Sequence, residues 1–170
     1  MKAVRALVVL VLVLLVSPSC SAPPTAPATP EASLIGSLLG PTGLLKCSNL
    51  PYDSSTVTIG PLGGTIHAGP HWLTIPAGAV LSPTAITMTA PTGQGVNAVK
   101  FKPAGLRFVT PAVLSMSYSN CSLLGNLLPK RIAYTDDNLN IISYLLSLDN
   151  LLSKYVTGKV NHFSDYVVAW

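Results

Sequence analysis

The residues best equipped for chemistry lie near the C-terminus, where His162, Phe163 and Ser164 are consecutive. A serine hydroxyl acts as a nucleophile when a neighbouring imidazole removes its proton. The surrounding residues predict a strand, in which successive side chains alternate between the two faces. His162 and Ser164 would then share a face, while Asp165 would point the other way. The spacing therefore favours a serine–histidine pair over a Ser-His-Asp triad.

The three cysteines divide into Cys20, near the N-terminus, and Cys47 and Cys121 in the body of the chain. Disulfides persist in oxidising compartments, so an exported chain would use the last two as a pair. We predict a bond between Cys47 and Cys121, with two free thiols as the alternative. A metal site is disfavoured because His67 and His71 lie in a segment interrupted by Gly and Pro, not on a helix.

The N-terminal residues 1–20 predict export. Lys2 and Arg5 precede an unbroken apolar run, residues 6–16, whose eleven positions suit the core of a signal peptide. A run of this length is too short to cross a bilayer, which needs about 20 residues. The segment is therefore predicted to direct secretion across the inner membrane.

The sequence Ser17-Pro18-Ser19-Cys20 resembles a bacterial lipobox, in which the cysteine becomes the lipidated N-terminus. The resemblance implies a lipid anchor on Cys20, and Ser21 after it is similar to outer-membrane lipoproteins. The alternative is an ordinary secretory cleavage near Ser19 or Ala22. Residues 21–45 then comprise a tether rich in Pro and Ala and, at 33–45, a short apolar segment of no assigned role.

Residues 46–170 have the length of one ordinary domain. Charged residues make up 9% of the chain, against about 25% in a typical soluble domain, which excludes a disordered polyelectrolyte or a coiled coil. Without Lys2 and Arg5, eight basic and six acidic side chains remain. The basic side chains thus exceed the acidic ones by only two and are scattered along the chain, which argues against nucleic-acid binding.

From Ser54 onward, apolar and polar residues alternate with a period of two between frequent turn signals. About nine short strands, spaced near ten residues, predict an all-β antiparallel β-sandwich or a partly open barrel. Pro111 separates two of the strands, and turns are expected at Asp136-Asp137-Asn138 and Asp149-Asn150. We also expect Trp72, Phe101, Phe108 and Trp170 in the core, and Lys130-Arg131 as a solvated pair.

Three blocks of the sequence resemble the opening of a ZU5 domain: Gly63-Gly64-Thr65-Ile66, then HWLTIPAGA at 71–79, then PTAIT at 83–87. The segment KPAGLRF at 102–108 resembles the block that follows. The resemblance extends over 54–170 and implies a β-sandwich. The residues agree with it, since Gly63-Gly64 permits a tight bend and Gly78 can adopt a positive φ.

The His162-Phe163-Ser164 triplet is similar to the self-cleaving motif of some ZU5 proteins and of nucleoporins that cut between Phe and Ser. The resemblance implies that Ser164 Oγ attacks the Phe163 carbonyl carbon, with His162 as general base, and that water hydrolyses the resulting ester. A donor must stabilise the oxyanion, and the sequence does not indicate which one. The alternative is that the triplet enters the final strand, with Phe163 inward and Ser164 outward.

These observations lead to two functional hypotheses. The first is a non-enzymatic, envelope-anchored, ZU5-like interaction or structural module, facing the periplasm or the cell surface. It would contact another protein or a surface polymer, reach the membrane through its lipid anchor, and use no nucleic acid, metal or cofactor. The second is a single-turnover autoprotease that cuts itself between Phe163 and Ser164.

Overall fold

The computed structural model describes residues 43–122 and 128–170. The predicted leader, the lipidation of Cys20 and the tether up to residue 42 lie outside these residues. All regular structure in the described residues is β. These residues contain no helix that is long and apolar enough to cross a membrane.

Eleven strands follow one another along the chain, two more than the approximate number predicted. They are β1 Asp53–Ile59, β2 Gly64–Ala68, β3 His71–Ile75, β4 Thr84–Ala90, β5 Ala98–Lys102, β6 Arg107–Ser117, β7 Arg131–Thr135, β8 Ile141–Tyr144, β9 Ser147–Asn150, β10 Tyr155–His162 and β11 Asp165–Ala169.

The strands form two antiparallel sheets. One sheet has six strands in the order β1-β4-β5-β11-β7-β8, and the other has five in the order β2-β3-β6-β10-β9. Every pairing within them is antiparallel. The predicted all-β antiparallel β-sandwich is therefore confirmed. Along one side, β9 side chains bridge the sheets: Ile132 N donates to Ser147 Oγ at 3.0 Å, and Lys130 N to Asp149 Oδ2 at 2.7 Å.

The core forms because alternate residues of each strand face the opposite sheet. In β3 the odd-numbered side chains are buried and the even-numbered ones are exposed. Trp72 therefore points outward and is 43% exposed, against the expectation that it lies in the core. Phe101 and Phe108 are buried as expected, and Trp170 packs against the core. The largest fully buried aliphatic side chains are Leu45, Ile66, Leu73, Ile75, Ile86, Met88, Leu114 and Met116.

Two local predictions were wrong. The chain continues through Pro111 as one strand, β6. Proline has no backbone N–H to donate to a neighbouring strand, but the β6–β10 pairing is irregular just beyond Ala112, so no hydrogen bond from Pro111 is required there. Asp149-Asn150 lies in β9 instead of a turn, and the turn follows at 151–154. The Asp149 carboxylate is fixed there because Tyr118 Oη donates to it at 2.6 Å. The turn expected at 136–138 is present.

A disulfide joins Cys47 to Cys121, as predicted, with the sulfurs 2.02 Å apart. Backbone hydrogen bonds flank it, since Ser48 N donates to Asn120 O at 3.0 Å and Ser122 N to Lys46 O at 2.9 Å. We call this end of the sandwich the disulfide end. The opposite end holds the β10–β11 link, and we call it the triplet end.

Candidate functional site

The triplet occupies the link between the two sheets. β10 ends at His162 in the five-stranded sheet, and β11 begins at Asp165 in the six-stranded sheet. Phe163 and Ser164 alone make the crossing, so the three residues do not belong to one strand. The assumption that His162 and Ser164 share a strand face is therefore wrong, because the alternation is interrupted between them.

Phe163 holds this link in the core. Its ring is 2% exposed, stacks on Phe101 with centroids 4.8 Å apart and meets Phe108 edge-on at 5.1 Å. Its backbone N–H donates to Leu106 O at 2.8 Å. The inward orientation of Phe163 is confirmed. The peptide bond that follows it is consequently fixed at the surface of the core.

Two nitrogen atoms lie near the Phe163 carbonyl oxygen. Gly105 N–H donates to it at 3.1 Å, and His162 Nδ1 lies 3.5 Å away. Gly105 has a φ of 74°, in the left-handed region that favours glycine. Donors directed at a carbonyl oxygen are the elements of an oxyanion hole. Gly105 N–H is thus a backbone donor to this carbonyl oxygen, and the sequence did not indicate it because Gly105 lies far from Phe163 in the chain.

His162 is held by two tyrosines. Tyr134 meets its ring edge-on with centroids 5.4 Å apart, and Tyr166 Oη donates to the His162 carbonyl oxygen at 2.6 Å. Burial raises the pKa of Tyr166, and the neighbouring Tyr134 raises it further. The Tyr166 phenol therefore stays protonated and keeps donating, which fixes the backbone of the triplet.

Ser164 is half-buried, and its hydroxyl makes no hydrogen bond within residues 43–122 and 128–170. The hydrogen-bond contact of the His162 ring is with the Phe163 carbonyl oxygen. In this arrangement the imidazole faces the atom that would become the oxyanion. Deprotonation of Ser164 by His162 would therefore require the ring to reorient.

The Asp165 carboxylate forms an ion pair with Lys100. Its Oδ2 lies 2.5 Å from Lys100 Nζ, and the same ammonium lies 3.7 Å from Asp137 Oδ1. The hydrogen bond to Asp165 is the main cause of the raised pKa of Lys100. With its carboxylate directed to Lys100, Asp165 does not complete a triad with His162 and Ser164. The reason is this ion pair and not the strand alternation on which the sequence argument relied.

A surface cavity of about 520 Å³ opens beside the Phe163–Ser164 bond. Its wall includes Arg107, Asp136 and Thr135, whose Oγ1 is buried without a hydrogen-bond partner. Phe163 and Ser164 both contribute to the wall of this opening. The cavity wall is polar and carries both acidic and basic side chains, so the cavity suits a small hydrophilic molecule better than an apolar one.

A second, larger cavity is apolar and lies on the outer surface beside residues 145–146, which connect β8 to β9. It measures about 680 Å³, and we call it the leucine groove. The sequence did not indicate it, because residues 140–146 are predicted only as a strand and leucine side chains are most often found in the core. Leu146 and Leu148 are instead 93% and 78% exposed. The groove is lined by Val113, Tyr144, Leu145, Leu146, Leu148 and Lys159, among others.

Within the described part of the chain, no group of three or more His, Cys, Asp or Glu side chains is placed to hold a metal ion. His71, one of the two histidines considered for such a site, is buried and accepts a hydrogen bond from Ser117 N on Nδ1 at 3.2 Å. No protein-family model matches this sequence, and no curated protein matches it.

Proposed function

We propose that the chain is an envelope-anchored, ZU5-like β-sandwich module that binds another protein or a surface polymer and catalyses no turnover. The observation that supports this proposal is the leucine groove. Clefts of this size that are lined mainly by apolar and aromatic side chains are typical binding sites. Leu146 and Leu148 are exposed far more than ordinary core-forming strand residues.

The groove has the chemistry of a site for an extended apolar segment. Tyr144 contributes an aromatic wall and carries the Arg131 guanidinium 4.3 Å from its ring centre. Lys159 lies at the rim. Aliphatic contacts would supply most of the binding energy, and the two cations would favour a partner with a carboxylate beside its apolar residues.

A photo-crosslinking amino acid placed at Leu146 tests this proposal in the producing cells. The matched control is the same amino acid at Leu62, which is 92% exposed at the triplet end. We expect one discrete adduct from position 146 and none from position 62. The adduct should be lost when Leu148→Lys introduces a charge into the groove. Equal adduct patterns from both positions would contradict a specific groove.

Self-cleavage at Phe163–Ser164 is the second candidate function, and the position of Gly105 N–H favours it. In this reaction Ser164 Oγ attacks the Phe163 carbonyl carbon while Gly105 stabilises the negative oxygen. The C–N bond breaks, the Ser164 amine takes a proton, and the Phe163 acyl group is left as an ester on Oγ. Water then adds to the ester, releasing the Phe163 carboxylate and restoring the hydroxyl.

Hydroxylamine distinguishes this candidate from the first. It attacks an ester and converts Phe163 into a hydroxamate, so a self-cleaving chain would give that product and a peptide of residues 164–170. Ser164→Ala should abolish both products, and Ser153→Ala, in an exposed turn, should leave them unchanged. If hydroxylamine yields no hydroxamate and the chain stays intact, the ester route does not operate.

A further inference from the structure

The described chain begins at the disulfide end. Trp170 N donates to Gly43 O at 3.1 Å, and Leu44 forms a bridge with Ala169, the last residue of β11. Because β11 starts at the triplet, Gly43 lies at the end farthest from it. The residues that precede Gly43 therefore join the sandwich at the disulfide end.

The turn between β9 and β10 projects from the same end. Its last residue, Lys154, accepts a hydrogen bond from Tyr118 N at 2.9 Å, and Tyr118 O accepts one from Cys121 N. The turn thus adjoins the disulfide. Its two leucines are displayed to solvent, with Leu152 98% exposed and Leu151 58% exposed. Leucines as exposed as these bury little apolar surface in the isolated fold.

The exposed charge around this turn is positive. Lys46 and Arg131 are exposed at the disulfide end, and Lys154 lies at the base of the turn. The Asp149 carboxylate is engaged by Tyr118 Oη and Lys130 N, and the Asp53 carboxylate by Gly69 N at 2.6 Å and Ser54 N at 2.8 Å. The other described aspartates, Asp136, Asp137 and Asp165, lie at the triplet end.

We propose that the disulfide end docks on an anionic lipid surface. Leu151 and Leu152 enter the boundary between headgroups and acyl chains, and Lys46, Arg131 and Lys154 face the lipid phosphates. Apolar side chains flanked by cations are the combination that binds anionic interfaces. A membrane suits a projecting tip better than a protein partner does, because a tip offers no concave surface to fill.

This inference rests on the proposed envelope anchor, because a lipidated residue upstream of Gly43 would keep the disulfide end within reach of the bilayer. The sandwich would then present the leucine groove along its side and the triplet end away from the membrane. Leu62 and Leu81, which are 92% and 75% exposed at the triplet end, provide matched apolar controls.

Fluorescence quenching tests the docking in the full chain as the cell exports it. An environment-sensitive fluorescent amino acid replaces Leu152, or Leu62 as the control, and the protein is reconstituted into phosphatidylglycerol vesicles that carry a quencher on the lipid acyl chains. We expect the probe at 152 to be quenched at least about twofold more than the probe at 62. Lys46→Glu combined with Lys154→Glu should remove the difference, and Lys102→Glu should preserve it.

Flotation of the same vesicles separates this inference from the proposed anchor. A chain that floats while its two probes are quenched equally is anchored but not docked, which overturns the inference alone. A chain that does not float counts against the anchor, and an unquenched probe at 152 in that sample also overturns docking. A change at 152 that follows protein concentration without vesicles would assign the turn to contact between copies, and would likewise overturn the inference.

Discussion

Acidification should destabilise the sandwich through one side chain, His71. The imidazole is 1% exposed, and its Nδ1 accepts a hydrogen bond from Ser117 N at 3.2 Å, which requires the neutral ring. Burial lowers the pKa of His71 from 6.5 to about 4. Between these values the unfolded chain binds a proton at this position and the folded chain does not, so unfolding becomes more favourable as the pH falls.

The size of the effect follows from the pKa difference. Each pKa unit corresponds to 1.36 kcal/mol, so His71 should change the free energy of unfolding by about 3 kcal/mol between pH 6.5 and pH 4. The stabilisation is fully present above pH 6.5 and is lost as the pH falls toward 4. Carboxylates also titrate in part of this range, so the contribution of His71 must be measured as a difference between variants.

Urea unfolding of the disulfide-intact protein at pH 7 and pH 4.5 measures that difference. His71→Gln retains a side-chain acceptor for Ser117 N but does not titrate, so its stability should fall with pH by about 2–3 kcal/mol less than that of the wild type. His67→Gln, at an exposed position in β2, should behave as the wild type does. Equal pH dependence in the wild type and His71→Gln would refute the reasoning.

Three further perturbations test the packing of the described residues. Reduction of the Cys47–Cys121 bond, which spans 74 positions, should lower the free energy of unfolding by about 4 kcal/mol in denaturant titrations, and an unchanged midpoint would contradict this. Gly63→Ala should cost more than about 1 kcal/mol, because φ is 74° and a Cβ would clash with the backbone after β3. Gly93→Ala, also at positive φ but with open space around it, should cost less. Phe163→Ala should cost about 3–5 kcal/mol by thermal or urea unfolding, and a loss below 1 kcal/mol would mean that the link is not held by this ring.

The fold could be predicted from the sequence because the period-two alternation and the turn residues are local signals. The glycines illustrate this: Gly63 and Gly78 have φ of 74° and 78°, as their positions between strands predicted. Lys130 shows where local signals fail. Lys130 was expected to be solvated but is 1% exposed. Its Nζ lies over the Tyr118 ring and donates a hydrogen bond to Leu128 O. A lysine stem can pack against apolar surface, and only the tertiary partners reveal that it does.

The candidate site was accessible only in part. The triplet stands out in the sequence. That Phe163 and Ser164 form a crossing between the sheets depends on which sheet each flanking strand joins, and the sequence does not indicate this. Gly105 reaches the Phe163 carbonyl oxygen from a distant turn, so no spacing rule identifies it. The leucine groove was missed for the related reason that Leu146 and Leu148 have the same residue type as core side chains. Exposure, not composition, distinguishes them.

The denatured intact mass of the exported protein, measured without and with reducing agent, tests the account most directly. A binding module that catalyses no cleavage should give one species that retains Trp170, and reduction should add two hydrogen atoms as the Cys47–Cys121 bond opens. Recovery of the peptide 164–170 and of a chain ending at Phe163 would contradict the proposed function and assign the protein to the self-cleaving class.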